Sequence, residues 1–253
     1  MPSSTDLDKL SVRDLSARLR DSMVPLSNTF SYFAVMPLNE EDVREYLEEP
    51  IAAIPPTIAA VLPRVFVGLV PYLERRNGKE KTGQSEEIVS FDKPAESRQV
   101  PLAYSEEQAE ASLIFAIKDR QIAEYHHEFY QAIARLAVNR LSDDHRSQYN
   151  ALLREELSGH VHGEVDQPSW YIKQALLRRQ TNLRRETKLF REYAQQSLAD
   201  TLALYLHGIC CDIDVETGPR QLPSRYLRRR LELLEALYPP PEGYAVFPEE
   251  LNK

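Results

Sequence analysis

The stretch Gln121–Leu141, QIAEYHHEFYQAIARLAVNRL, constrains the fold more than any other part of the chain. Ile122, Phe129, Ile133 and Leu136 repeat at spacings of three, four and seven, with Tyr125, Ala132 and Ala137 beside them, which predicts a helix. A second row, Tyr130, Ala134, Ala137 and Leu141, widens the apolar arc beyond the stripe a surface helix needs. The expectation is a helix buried on most sides. Set into it are His126, His127, Glu128 and Gln131, polar groups whose burial is costly unless they are hydrogen-bonded or metal-bound.

The rest of the chain frames that helix. Only eight glycines occur in 253 residues, and no two have the spacing of a phosphate-binding loop. Scarce glycine with abundant Leu, Arg, Glu and Ala predicts a mainly helical protein. Strand candidates fall in Phe30–Met36, Arg64–Leu73, Glu87–Phe91 and Ala111–Ile117. The polar run 74–87 reads as a loop in which Asn77-Gly78 turns a hairpin, and 94–108 reads as irregular. Ser11, Asn39 and Ser142 stand where helix caps belong. A long helical region, one amphipathic helix or two in series, is expected from Pro168 to Leu206, on the heptad Leu176, Leu183, Phe190, Ser197 and Leu204, and a last helix from Ser224 with Leu227, Leu231, Leu234 and Leu237 inward. The expected class is α+β and helix-dominated. A small sheet in the N-terminal half packs on the central helix, and a long helical region follows. The parts divide at about 1–110 and 111–253 within one continuous globular domain.

Cys210 and Cys211 are the only cysteines and are adjacent, so no disulfide framework exists, which favours a reducing compartment. The start, MPSSTDLDKL, lacks a basic region followed by an apolar core, and Ile51–Val70 is broken by three prolines and an arginine. These features lead to the expectation of a cytoplasmic protein with no membrane partner.

The phrase His127-Glu128-Phe129-Tyr130-Gln131 carries the chemistry. A zinc peptidase needs two His at i and i+4 on one helical face and a Glu after the first as general base. Here the first His and the Glu are present, and Gln131 holds the second His position. The segment HEFYQAIARLAVNRLSDDHRSQY resembles the zincin metallopeptidases, including the anthrax-lethal-factor-like group, whose His-Glu helix ends in a Leu-Ser-Asp turn. Downstream, QSLADTLALYL is similar to that group's Glu-x-x-Ala-Glu phrase. The resemblance covers roughly the C-terminal half. It implies a zincin-like fold, a metal set of His127, Gln131 and Gln196, Glu128 as the catalytic base, and Asp200 at the second acidic position. A glutamine amide is a poor zinc ligand, so the implied centre is degenerate and zinc is the implied cofactor only if such a site still holds it. The implied role is that of a pseudoenzyme acting through a protein or peptide partner.

Two alternatives stand beside it. One is an active metal-dependent peptidase using His127 and Glu128 with ligands drawn from His126, Glu192, Asp200 or the His160-x-His162 loop, where Glu164 and Asp166 follow. The other is a basic helical module, in which Lys173, Arg178, Arg179, Arg184 and Arg185 meet nucleic-acid phosphates or an acidic partner in a chain whose net charge is −8. No Gly-x-Ser-x-Gly elbow is present, so a serine hydrolase of that type is excluded.

Overall fold

A computed structural model describes residues 7–76, 86–107, 109–178, 186–211 and 220–247. The protein is α+β and helix-dominated, with its two small sheets in the N-terminal half and helices following. The chain forms two compact units: 1–51 with 62–129, and 52–61 with 130–253.

The first unit opens with α1 (Val12–Leu19). The Ser11 hydroxyl accepts the Asp14 N–H, as an N-cap does. Strands β1 (Val24–Pro25) and β2 (Phe30–Ala34) follow. Helix α2 (Glu40–Val43) starts on a capping box, in which Asn39 and Asp42 bond each other's backbone N–H. It runs through a π-helical turn, Arg44–Glu48, into α3 (Glu49–Ala52). Pro55 and Pro56 then open α4 (Pro56–Ala59), which belongs to the second unit.

Strand β3 (Arg64–Val70) ends at Pro71, and the chain resumes at once as β4 (Tyr72–Arg76). Then come β5 (Glu86–Ser90), β6 (Gln99–Val100), β7 (Leu102–Glu107) and β8 (Glu110–Ala116). The main sheet has the order β1-β2-β3-β8-β7. Within it β2, β3 and β8 are parallel, and β1 and β7 are antiparallel edges. The second sheet has the order β5-β4-β6. Arg76 pairs with Glu86, so β4 and β5 are the expected hairpin, although its Asn77-Gly78 turn lies outside the described residues.

Residues 94–108 are not irregular as expected, since they contribute β6 and β7. An edge strand needs one paired side only, so β7 tolerates Ser105, Glu106 and Glu107. Leu15 and Leu19 of α1 join Phe33, Val70, Leu73, Val89 and Ile114 in one apolar core. Gly68 sits at the centre of β3, where a Cβ would lie 2.5 Å from Ile114 Cδ1 and from Phe33 Cζ. Hydrogen there lets two large side chains close over the strand.

Helix α5 (Ile122–Val138) enters from β8 and passes from one unit to the next after Phe129. In the first unit the Phe115 ring of β8 meets Tyr125 edge-on at 4.8 Å, so sheet and helix do pack as expected. The second unit adds α6 (Asp143–Ser158), capped by Ser142, then α7 (Gln167–Leu177), α8 (Lys188–Cys210) and α9 (Ser224–Leu237). Of the two readings of the helical region over Pro168–Leu206, the structure takes two helices in series; α7 stops at Leu177 and α8 begins after its own Thr187 cap. Leu227, Leu231 and Leu234 of α9 are buried, and Arg228 stacks over Phe247 of the tail at 4.6 Å. Among the described residues, no helix is long and apolar enough to cross a membrane.

Candidate functional site

Helix α5 has an open face. Tyr125, His126, Phe129, Tyr130, Ile133 and Leu136 are buried, whereas Glu124, His127 and Arg135 are exposed and Glu128 and Gln131 are half-buried. The helix is buried on most sides, as expected, but His127, Glu128 and Gln131 lie on its one open stripe rather than within the apolar arc, for two reasons of spacing. Residues 124, 127/128, 131 and 135 recur every three to four positions and make one polar stripe. Neighbouring His residues point about 100° apart, so His126 turns inward while His127 faces out.

His126 is held by the first unit's helical segment. Its Nε2 donates to the Glu45 carbonyl at 2.8 Å, and Tyr125 Oη donates to the Tyr46 carbonyl at 2.6 Å. Both acceptors lie in the π-helical turn. A ring nitrogen whose proton is given to a carbonyl leaves no lone pair on that atom for a metal, so any acceptor role of His126 falls to Nδ1.

The two glutamines of the implied metal set lie in the second unit, and both are bonded to carboxylates. Gln131 Nε2 donates to Asp166 Oδ2 at 3.3 Å, while its Oε1 accepts from Arg135 at 3.4 Å. Gln196 Nε2 donates to Asp200 Oδ1 at 2.7 Å. The α7 N-terminus joins the two pairs: Asp166 caps it, and the Ser169 N–H donates to Asp200 Oδ2 at 3.3 Å. Burial lifts the Asp200 carboxyl above its ordinary range, and Asp166 adds to the lift, while the bonds from Ser169 and Gln196 oppose it. The donor chemistry does not fit zinc. The neutral amides of Gln131 and Gln196 both direct N–H groups into neighbouring acids.

The densest polar constellation is one that sequence reasoning missed. Arg230 of α9, Lys173 of α7, Glu156 of α6 and Glu164 of the α6–α7 loop are all buried inside the second unit. The Arg230 guanidinium forks onto both acids: Nη2 donates to Glu156 Oε2 at 2.5 Å and Glu164 Oε1 at 3.0 Å, and Nη1 to Glu164 Oε2 at 2.8 Å. Nη1 also reaches Ser197 Oγ at 2.9 Å. Lys173 Nζ donates to Glu164 Oε1 at 3.0 Å and to the Gly163 carbonyl at 2.7 Å. Tyr193 Oη donates to Glu164 as well, and Tyr149 Oη lies 2.7 Å from Thr201 Oγ1. Two cations face two anions, and no buried side-chain polar atom among the described residues lacks a partner.

Burial by itself would raise the Glu164 carboxyl, but Arg230, Lys173 and the Tyr193 hydroxyl bring it down to about 2. Burial, with Arg230 close by, lowers the Lys173 amine against the pull of Glu164. Burial raises the Tyr149 phenol to about 12. Gly163 makes the approach possible. Its φ is +81°, and a Cβ would fall 2.0 Å from the Gln221 carbonyl oxygen. Glu164 then bonds the 220–222 strand-like segment through both backbone groups, from its N–H to Arg220 and from Leu222 to its carbonyl.

Two sequence expectations change here. Among the described residues the His160-x-His162 loop forms no cluster of three ligand-type side chains: both His are exposed, while Glu164 is buried and committed to Arg230 and Lys173. Lys173 is no part of a surface basic stripe, since its ammonium is fully buried. Arg178 is exposed at the α7 C-cap, and Arg179, Arg184 and Arg185 lie outside the described residues. The one advance signal for the network was a set of hydrophilic residues at core-facing helix positions, Arg230 three residues after Leu227 and Ser197 in the heptad row.

Comparison with known proteins adds no relative: no family model, no curated protein and no solved structure matches the chain.

Proposed function

We propose that the chain is a zincin-like protein whose metal centre has been replaced by a hydrogen-bonded polar cluster, and which acts by binding a protein or peptide. The observation that carries this reading is the state of the two glutamines. Gln131 and Gln196 occupy the positions that the resemblance gives to metal ligands, and each spends its amide N–H on a carboxylate of the same unit, Asp166 and Asp200. The charge that an ion would balance is met by neutral donors, so the helices are joined without a cation.

The order of elements also supports it. A mixed sheet ends in β8, and the chain leads directly into the helix bearing His127 and Glu128. For the partner, β7 stands last in the main sheet among the described residues, with Tyr104 about half-exposed. An extended peptide adds to such an edge through main-chain hydrogen bonds. Glu128 has no catalytic duty in this reading.

Metal analysis of the purified, dialysed protein tests the proposal. Wild type retains no stoichiometric zinc and shows no chelator-sensitive hydrolysis of casein, whereas the double variant Gln131→His with Gln196→Glu gains zinc affinity. Near-stoichiometric zinc in wild type, with casein turnover abolished by Glu128→Gln, would overturn the proposal in favour of an active peptidase.

A further inference from the structure

A cleft of about 740 Å³ opens in the second unit between α6 and α8, at the end of α5. It is apart from the glutamine cluster and from the buried ion network, and it owes nothing to the zincin reading. Its floor is apolar and small: Val138, Ala151, Ala194 and Leu198. The alanines leave the groove, because the facing positions of the two helices carry side chains too short to meet. Three arginines line the same space, Arg146 and Arg154 from α6 and Arg191 from α8.

Their surroundings differ in a useful way. Arg146 pairs with the exposed Asp143 at 2.5 Å. Arg154 stacks over the Phe190 ring at 3.9 Å, which fixes its plane, and holds Glu186 only loosely at 3.8 Å. Arg191 is exposed and makes no ion pair among the described residues. Three guanidiniums against two exposed acids leave the cleft positive on a chain whose net charge is −8. Stacked or planar guanidiniums match phosphate oxygens in paired hydrogen bonds. A small apolar floor ringed by polar side chains, three of them arginines, suits a small anionic ligand, and the volume lies within the usual range.

We infer that this cleft binds a small organic phosphate, with the phosphate held by Arg154 and Arg191 and an apolar or aromatic body laid on Ala151 and Ala194. Isothermal titration with phenyl phosphate and, separately, with inorganic phosphate tests it on the full chain. Phenyl phosphate binds saturably and more tightly than inorganic phosphate. Arg191→Ala weakens both probes by about tenfold, the effect of losing one charge-assisted contact. Ala151→Phe, a change at an exposed helix position, fills the floor and weakens phenyl phosphate alone. Circular dichroism and the melting temperature establish that both variants keep the fold. Absence of saturable phenyl phosphate binding would overturn the inference, as would binding that neither variant alters.

Discussion

The two units solve the same problem, closing a core, with opposite materials. The first packs α1 against its strands through Leu15, Phe33, Val70 and Ile114; of the buried polar groups it carries, Ser16 and His126 bond backbone carbonyls, and Glu74 pairs with the half-exposed Lys9 and Arg98 at its margin. The second places two acids and two bases at the centre of its helices and joins α6, α7, α8 and α9 through Arg230 and Glu164. A dry core tolerates rearrangement as long as volume and pattern survive. An ionic core does not, because each charge has a fixed partner and an orphaned one is costly. The helical unit is therefore the more specified of the two, though not by that token the more stable, since buried ion pairs add little net stability over apolar packing.

The largest effect that tests this contrast is Arg230→Met. It leaves Glu156 and Glu164 facing each other without their shared cation, and the expected loss is about 4 kcal/mol in urea-induced unfolding. A loss below about 1 kcal/mol, within the range of surface pairs, would end the claim that the network specifies the helical unit.

Acid gives the next effect. The Glu164 carboxyl titrates at about 2 in the folded protein against 4.5 when free. A depressed carboxyl contributes stability that is complete above its unfolded value and is lost as pH falls through its folded one. Glu164 thus supplies roughly 3 kcal/mol near neutrality that disappears between about pH 4.5 and pH 2. Unfolding free energies measured across that window fall in wild type. In Glu164→Gln they fall less steeply, and identical slopes would remove Glu164 from the account.

The smallest effect belongs to the dry unit. Gly68→Ala forces Ile114 and Phe33 aside, and since both contacts are the far ends of side chains the expected cost is about 2 kcal/mol. Equal losses from Gly68→Ala and Arg230→Met would erase the difference drawn between the two cores.

Much of the fold was legible because its signals are local. The caps at Ser11, Asn39 and Ser142 and the apolar runs of β2, β3 and β8 depend on residues within a few positions of each other, and they form as read. Strand β7 was missed because an edge strand with Ser105, Glu106 and Glu107 has the composition of a loop, and only its pairing with β8 makes it a strand. On the candidate site, the pattern of α5 carried the His-Glu phrase but left its faces open. That His126 is the buried histidine and His127 the exposed one is decided by the Glu45 carbonyl that receives the former.

The sequence by itself determined the class of the protein and the helix starts at Ser11, Asn39 and Ser142, and it placed glutamine at Gln131 and Gln196. The tertiary structure decided that those glutamines serve Asp166 and Asp200, and that Arg230 and Lys173, the latter read in sequence as part of a surface basic stripe, are the interior of the helical unit. The physical reason is range. Periodicity and capping are written within one or two turns, whereas a buried ion becomes tolerable only through partners as distant in sequence as Glu156 and Arg230, which are adjacent only once the helices have packed.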